Sequence, residues 1–121
     1  MTDRLSSGEV TITLGGRERV LRPTLDAARK INAKFGGIAP VYNQFIQQDI
    51  DALIYVLAAG IDAKRVERTL DEIAPLVFAG GLFQGYGQPA IQFLRNISAG
   101  GRDADAVAET EEPDDGDADP E

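Results

Sequence analysis

From Val10 to Leu14 apolar residues alternate with threonines, Val10, Ile12 and Leu14 against Thr11 and Thr13. That is the period of a strand with one buried face. Gly15 and Gly16 end it, and two adjacent glycines supply the positive φ angles of a tight hairpin turn. Arg17–Arg22 then returns antiparallel. Two registers fit: a two-residue loop pairs Val10 with Leu21 and Ile12 with Arg19, whereas a loop one residue longer sets Ile12 against Val20. Two strands are marginal in water, so the hairpin must rest a face on helices or pair an edge with another subunit.

Beyond Pro23 the period changes to that of helices. Thr24 is placed to cap a helix with Leu25, Ala28, Ile31 and Phe35 inside, closed by Gly36-Gly37. Pro40 suits a helix start, and Val41, Tyr42, Phe45 and Ile46 form the stripe of a short second helix. Asp49 is a good cap for a third, with Ile50, Leu53, Ile54, Leu57 and Ala58 recurring until Gly60. Asp62–Arg68 reads as a single turn or an extended connector. Thr69-Leu70-Asp71-Glu72 resembles a capping box for a fourth helix with Leu70, Ile73, Leu76 and Val77 inside. Pro75 threatens that helix with a kink or a later start. The glycine-rich stretch Gly80–Gly87 reads as a bend, after which Pro89 opens a last helix with Ile91, Leu94 and Ile97 inside, and Gly100-Gly101 ends the fold. The predicted fold class is mainly α with a short N-terminal β-hairpin (α+β), a small bundle of four to five helices. The predicted organisation is a flexible start over 1–7, one domain over 8–101, and a tail over 102–121.

Charge is divided sharply along the chain. The 121 residues carry a net charge of −8, yet residues 102–121 hold ten of the twenty acids and a single base, Arg102. Residues 1–101 are nearly neutral, with eleven bases and ten acids. Acids interleaved with Ala, Gly and Pro are too polar and self-repelling to be offset by burial, so the tail is predicted to be disordered. It reads first as a solubilising extension; the sharper alternative is an arm for a basic partner, or a nucleic-acid mimic.

Composition removes several chemistries. With no His or Cys, there is no histidine base, thiolate nucleophile, disulfide or ordinary zinc ligand set. No apolar run approaches the roughly 20 residues that span a bilayer, and the N-terminus lacks a secretory core. The expectation is a soluble, intracellular chain with no membrane role. Asp49 and Asp51 fall where acids cap amides and complement a helix dipole. Asp62, Asp71 and Glu72 would form an acidic site only if the fold converged them, and no EF-hand spacing is present. The Gly80–Gln88 stretch has no Lys followed by Ser or Thr and no preceding strand, so it is not read as a phosphate loop. Basic residues are scattered (Arg17, Arg19, Arg22; Arg29, Lys30, Lys34; Lys64, Arg65, Arg68), without an aromatic stacking platform, which argues against nucleic-acid binding. No cofactor, metal or catalytic residue is predicted.

The order of features carries more than any one of them. "VTITLGGRERVLRPTLDAARKINAKFGG", then "DIDALIYVLAAGI", then a T-x-D-E start and a terminal amphipathic helix resemble the phage tail assembly chaperone family of gene transfer agents and related siphophages, sometimes labelled tail tube proteins. The resemblance covers about residues 8–99 and rests on packing residues and turns. It implies a protein without enzymatic activity, working in the host cytoplasm, that keeps the helical tape measure protein soluble while tail tube subunits polymerise around it. It also allows for a homo-oligomer coating its client. An amphipathic client helix would then lie in apolar grooves. The candidate groove residues are Phe45, Ile46, Leu82, Phe83, Tyr86 and Phe93, each of which is also a candidate for simple core burial. The rival implication is a minor structural component of the virion tail, a tube or connector subunit, although a tube needs more strand than one hairpin.

The third helix offers the most direct test of this reading. Leu53→Ala or Leu57→Ala is expected to cost about 2–5 kcal/mol in chemical denaturation; an unchanged midpoint would show that this face is not buried.

Overall fold

A computed structural model describes residues 8–106. The predicted flexible start at 1–7 and residues 107–121 of the predicted disordered tail lie outside the described residues. The domain is mainly helical with an N-terminal hairpin, as its sequence predicts. Strands β1 (Val10–Leu14) and β2 (Arg17–Leu21) are followed by α1 (Leu25–Phe35), α2 (Ala39–Ile46), α3 (Ile50–Ile61), a 3-10 turn (Ala63–Arg65), α4 (Val66–Ala79) and α5 (Phe83–Ser98).

The two-residue loop decides the hairpin register, pairing Val10 with Leu21 and Ile12 with Arg19. Gly15 and Gly16 take φ of 58° and 83°, the double left-handed geometry that matches strand twist and that non-glycine residues resist. Paired residues share a face of the ribbon, so Arg19 stands beside the buried Ile12 and Leu14. Its side chain reaches outward to Glu72 on α4, at 3.3 Å.

Helix α3 is the centre of the molecule. All nine residues from Ala52 to Gly60 are buried, because β2, α1, α2, α4 and α5 all pack on it. Both predicted caps are made: the Thr24 hydroxyl accepts from the Ala27 N–H and the Asp49 carboxylate from the Ala52 N–H, each at 3.1 Å. Gly60 does not end α3. It sits inside the helix at the tightest crossing, where a Cβ would come within 3.0 Å of both Leu21 and Phe93.

Three boundaries differ from the sequence reading. Helix α4 starts at Val66, and Thr69 is a buried residue of its first turns; Asp62, accepting from the Lys64 N–H at 3.2 Å, caps the preceding 3-10 turn instead. Pro75 lies inside α4 on an exposed position, where the carbonyl it frees at Asp71 meets water. Helix α5 begins at Phe83 and carries Pro89 within it. The glycines assigned to a bend are packing positions: a Cβ on Gly85 would strike the Gly80 carbonyl, and one on Gly80 would strike the Tyr86 ring. Leu25, predicted inside α1, is 71% exposed, and Ala27 and Ile31 take the inner face.

The chain also stays on the domain past Gly101. Asn96, 2% exposed, donates to the Gly8 carbonyl at 2.8 Å and accepts from the Ala104 N–H at 2.8 Å. It thereby ties the two ends of the described chain together, and Arg95 adds an ion pair to Asp105 at 2.8 Å. Residues 102–106 therefore belong with the folded part. A chain ending at Gly101 is expected to be about 1–2 kcal/mol less stable than one ending at Ala106, the worth of one buried and one exposed bond. The melting temperature of the shorter chain is expected to be lower by roughly 4–8 °C per kcal/mol; equal melting points would show that residues 102–106 hold nothing.

Candidate functional site

Two tight corners meet at one end of the bundle. The first joins α2 to α3 through Gln47–Asp49, and the second joins α4 to α5 through Gly80–Leu82. Because α3 and α4 are antiparallel neighbours, the start of one lies beside the end of the other. Gln48 and Ile50 from the first corner and Gly81, Leu82, Phe83 and Gln84 from the second border an open groove of about 420 Å³. None of these residues is charged. The corners are locked together by the Phe45 and Phe83 rings, whose centroids are 5.4 Å apart with planes at 81°, an edge-to-face geometry that favours the pair beyond simple burial.

Large apolar side chains stay in water here. Ile46, the last residue of α2, is 79% exposed, Ile50 is 45% exposed and Phe78 near the end of α4 is 71% exposed. Ile50 lines the groove, and Ile46 and Phe78 stand two and three residues along the chain from its Gln48 and Gly81. Of the six candidate residues, Ile46, Leu82 and Phe83 lie accessible at this end of the domain. Phe45, Tyr86 and Phe93 are corrections: Phe45 is 7% exposed, in the core beneath the corners. Phe93 is fully buried against Gly60 of α3; Tyr86 is 7% exposed and its hydroxyl donates to the Thr13 carbonyl at 2.8 Å, so its ring joins α5 to β1. Ile50, Gln48 and Phe78 were missed. Ile50 follows the Asp49 cap so closely that the apolar period carried it into the core face. The sequence signal that marks it is its position in the first turn, beyond the reach of the neighbouring helices.

Both corners store backbone strain. Gln48 (φ 59°) and Leu82 (φ 51°) are the two non-glycine residues with positive φ among the described residues, and both line the groove. Gln48 ends α2 in a Schellman arrangement: its own N–H donates to Phe45 at 2.9 Å and the Asp49 N–H donates to Gln44 at 2.9 Å. Glycine is the usual occupant of that position. Leu82, at φ 51° and ψ −125°, is held by its N–H donating to Val77 at 3.0 Å and by its carbonyl accepting from Gly85 at 3.1 Å and Tyr86 at 2.8 Å. Side chains kept in such conformations cost on the order of 1–3 kcal/mol each and cluster where function needs them.

Of the acids Asp62, Asp71 and Glu72, Asp62 and Glu72 line one pocket without Asp71, each against an arginine. Asp49 and Asp62 cap helical turns, Asp51 lies in the first turn of α3, and Glu72 meets Arg19. Among the described residues no group of three or more acids is placed to hold a metal ion, and no helix is long and apolar enough to cross a membrane. Burial raises the Tyr42 phenol above its ordinary value against the lowering charge of Arg95, and burial with the Glu67 charge raises Tyr55. Both shifts favour the neutral phenol.

No family model, curated protein sequence or solved structure matches the chain. The groove geometry itself is open to test. Gln48→Gly is expected to raise stability by about 1 kcal/mol by relieving the left-handed strain, read as a higher denaturant midpoint at constant slope. A lowered midpoint would mean that the Gln48 side chain holds the corner.

Proposed function

We propose that this chain is a non-enzymatic binding protein of the tail assembly chaperone type, which receives an apolar helical segment of a tape measure protein at the α2–α3 and α4–α5 corners. The observation that carries the reading is the uncharged groove of Ile50, Leu82 and Phe83, with exposed Ile46 and Phe78 at the helix ends that lead into its two corners. An amphipathic helix presents apolar residues at three- and four-residue intervals, and a groove lined by Ile50, Leu82 and Phe83 with the amides of Gln48 and Gln84 offers that pattern apolar and hydrogen-bonding contacts. The strained corners support it, because they fix Gln48 and Leu82 in place before any partner arrives, which lowers the ordering cost of binding. The sequence resemblance supplies the identity of the client, and repeated copies along a long helix would add avidity. Against the rival reading as a tail tube subunit stands the strand content, two strands of five residues each.

Co-expression with the tape measure protein tests this. The full chain is expected to shift that protein from the insoluble to the soluble fraction, and the Ile46→Asp/Ile50→Asp/Phe78→Asp variant is expected to lose the effect. The three positions are exposed, so the variant should melt within a few degrees of the parent. A client that stays insoluble with the parent chain overturns the function, and a fully active variant overturns the site.

A further inference from the structure

A second open pocket, of about 370 Å³, lies on another face, between β2 and the start of α4. Its wall carries Arg19, Arg65 and Arg68 with Asp62, Glu72 and Thr69, three positive charges against two negative. Arg65 meets Asp62 at 3.7 Å and Arg19 meets Glu72 at 3.3 Å, each through one nitrogen. Arg68 is exposed and has no carboxylate partner among the described residues. Lys64 adds a further positive charge beside the pocket, on the same turn. Guanidinium groups with unused donors bind carboxylates well, and best when two nitrogens meet two oxygens.

The matching charge is in the same chain. Residues 107–121 contain eight acids and no base, in contrast to the near neutrality of residues 1–101. The described chain passes the neighbouring Pro23 corner at Gly101–Arg102 before Ala104 and Asp105 bind Asn96 and Arg95 of α5. The Gly101–Arg102 backbone lies against Gly8 and Pro23, next to Arg22, whose N–H donates to the Gly60 carbonyl at 2.8 Å. A shallow surface lined by Arg22, Gly60 and Lys64 continues from there, sharing Ile61 and Asp62 with the arginine pocket. Fifteen residues reach about 50 Å when extended, far beyond the radius of gyration of about 13 Å for a domain of this size.

We propose that the acidic segment 107–121 docks in cis on the arginine pocket formed by Arg19, Arg65 and Arg68, masking those guanidinium groups from other polyanions. The attraction is many-to-many and exposed, so it depends on screening. It also explains why a nearly neutral domain keeps three arginines around one pocket beside only two acids. The proposal does not rest on the apolar groove or on any client.

Because the chain has no cysteine, Gly116→Cys gives a unique site for a nitroxide label on the isotopically labelled full chain. At low ionic strength the amides of Arg65, Arg68 and Thr69 are expected to lose half or more of their intensity through paramagnetic broadening. The loss should vanish at about 0.5 M salt, where the screening length falls to roughly 4 Å, and in Arg65→Ser/Arg68→Ser. Unbroadened amides at low salt, or broadening indifferent to both salt and the arginine variant, would overturn the proposal. An equimolar mixture of spin-labelled chain without isotope and isotopically labelled chain without the cysteine is expected to show no broadening; full broadening there would place the docking between copies and overturn its assignment in cis.

Discussion

A helix that is apolar on every side has to be covered on every side, and α3 imposes that demand on the whole chain. Its stretch from Ala52 to Gly60 has no exposed residue, so the hairpin and the other four helices are arranged as its covering. This explains the otherwise improbable two-stranded sheet: β1 and β2 are stable because Ile12, Leu14 and Leu21 close over the core. It also explains Gly60, where β2 and α5 approach α3 so closely that a Cβ would press on Leu21 and Phe93 at 3.0 Å. Removing apolar area from water on this scale outweighs local preferences such as the proline in each of α4 and α5.

The same constraint locates the surface that remains for binding. Cover is complete along the middle of α3 and stops at its first turn, where Ile50 emerges beside Leu82 and Phe83. The corners at this end are tight, and two of their residues sit in left-handed conformations more readily occupied by glycine. A fold built only for stability would replace Gln48, and the retention of side chains there accords with a surface shaped for contact. Charge is kept elsewhere, on the arginine face of β2 and α4 and in the acidic segment, so an apolar client and an anionic one would meet different sides of the domain.

Much of this was legible in the residues because it is local. Alternation in Val10–Leu14, the Gly-Gly turn, the Thr24 and Asp49 caps and the apolar run of α3 each act within a few positions, and each is present. What escaped depends on partners distant in sequence. Gly80 and Gly85 look like a bend until the contact of the α4 end with α5 is known. Thr69 looks like a cap because its neighbours suit one, yet the preceding turn is already closed by Asp62. In the candidate site, spacing alone could not divide Ile46, Leu82 and Phe83 from Phe45, Phe93 and Tyr86. All six lie on apolar stripes, and what separates them is whether another element covers that part of the stripe.

The account stands on the apolar end of the bundle being where a helix is received. Its most direct measurement is amide chemical-shift mapping of the isotopically labelled chain titrated with an amphipathic helical peptide taken from a tape measure protein. Shifts should concentrate at Ile46, Gln48, Ile50, Phe78, Leu82 and Phe83 and leave the hairpin and the α4 start unmoved. Saturable binding whose shifts fall instead on β2 or on the Arg65–Thr69 turn would contradict it.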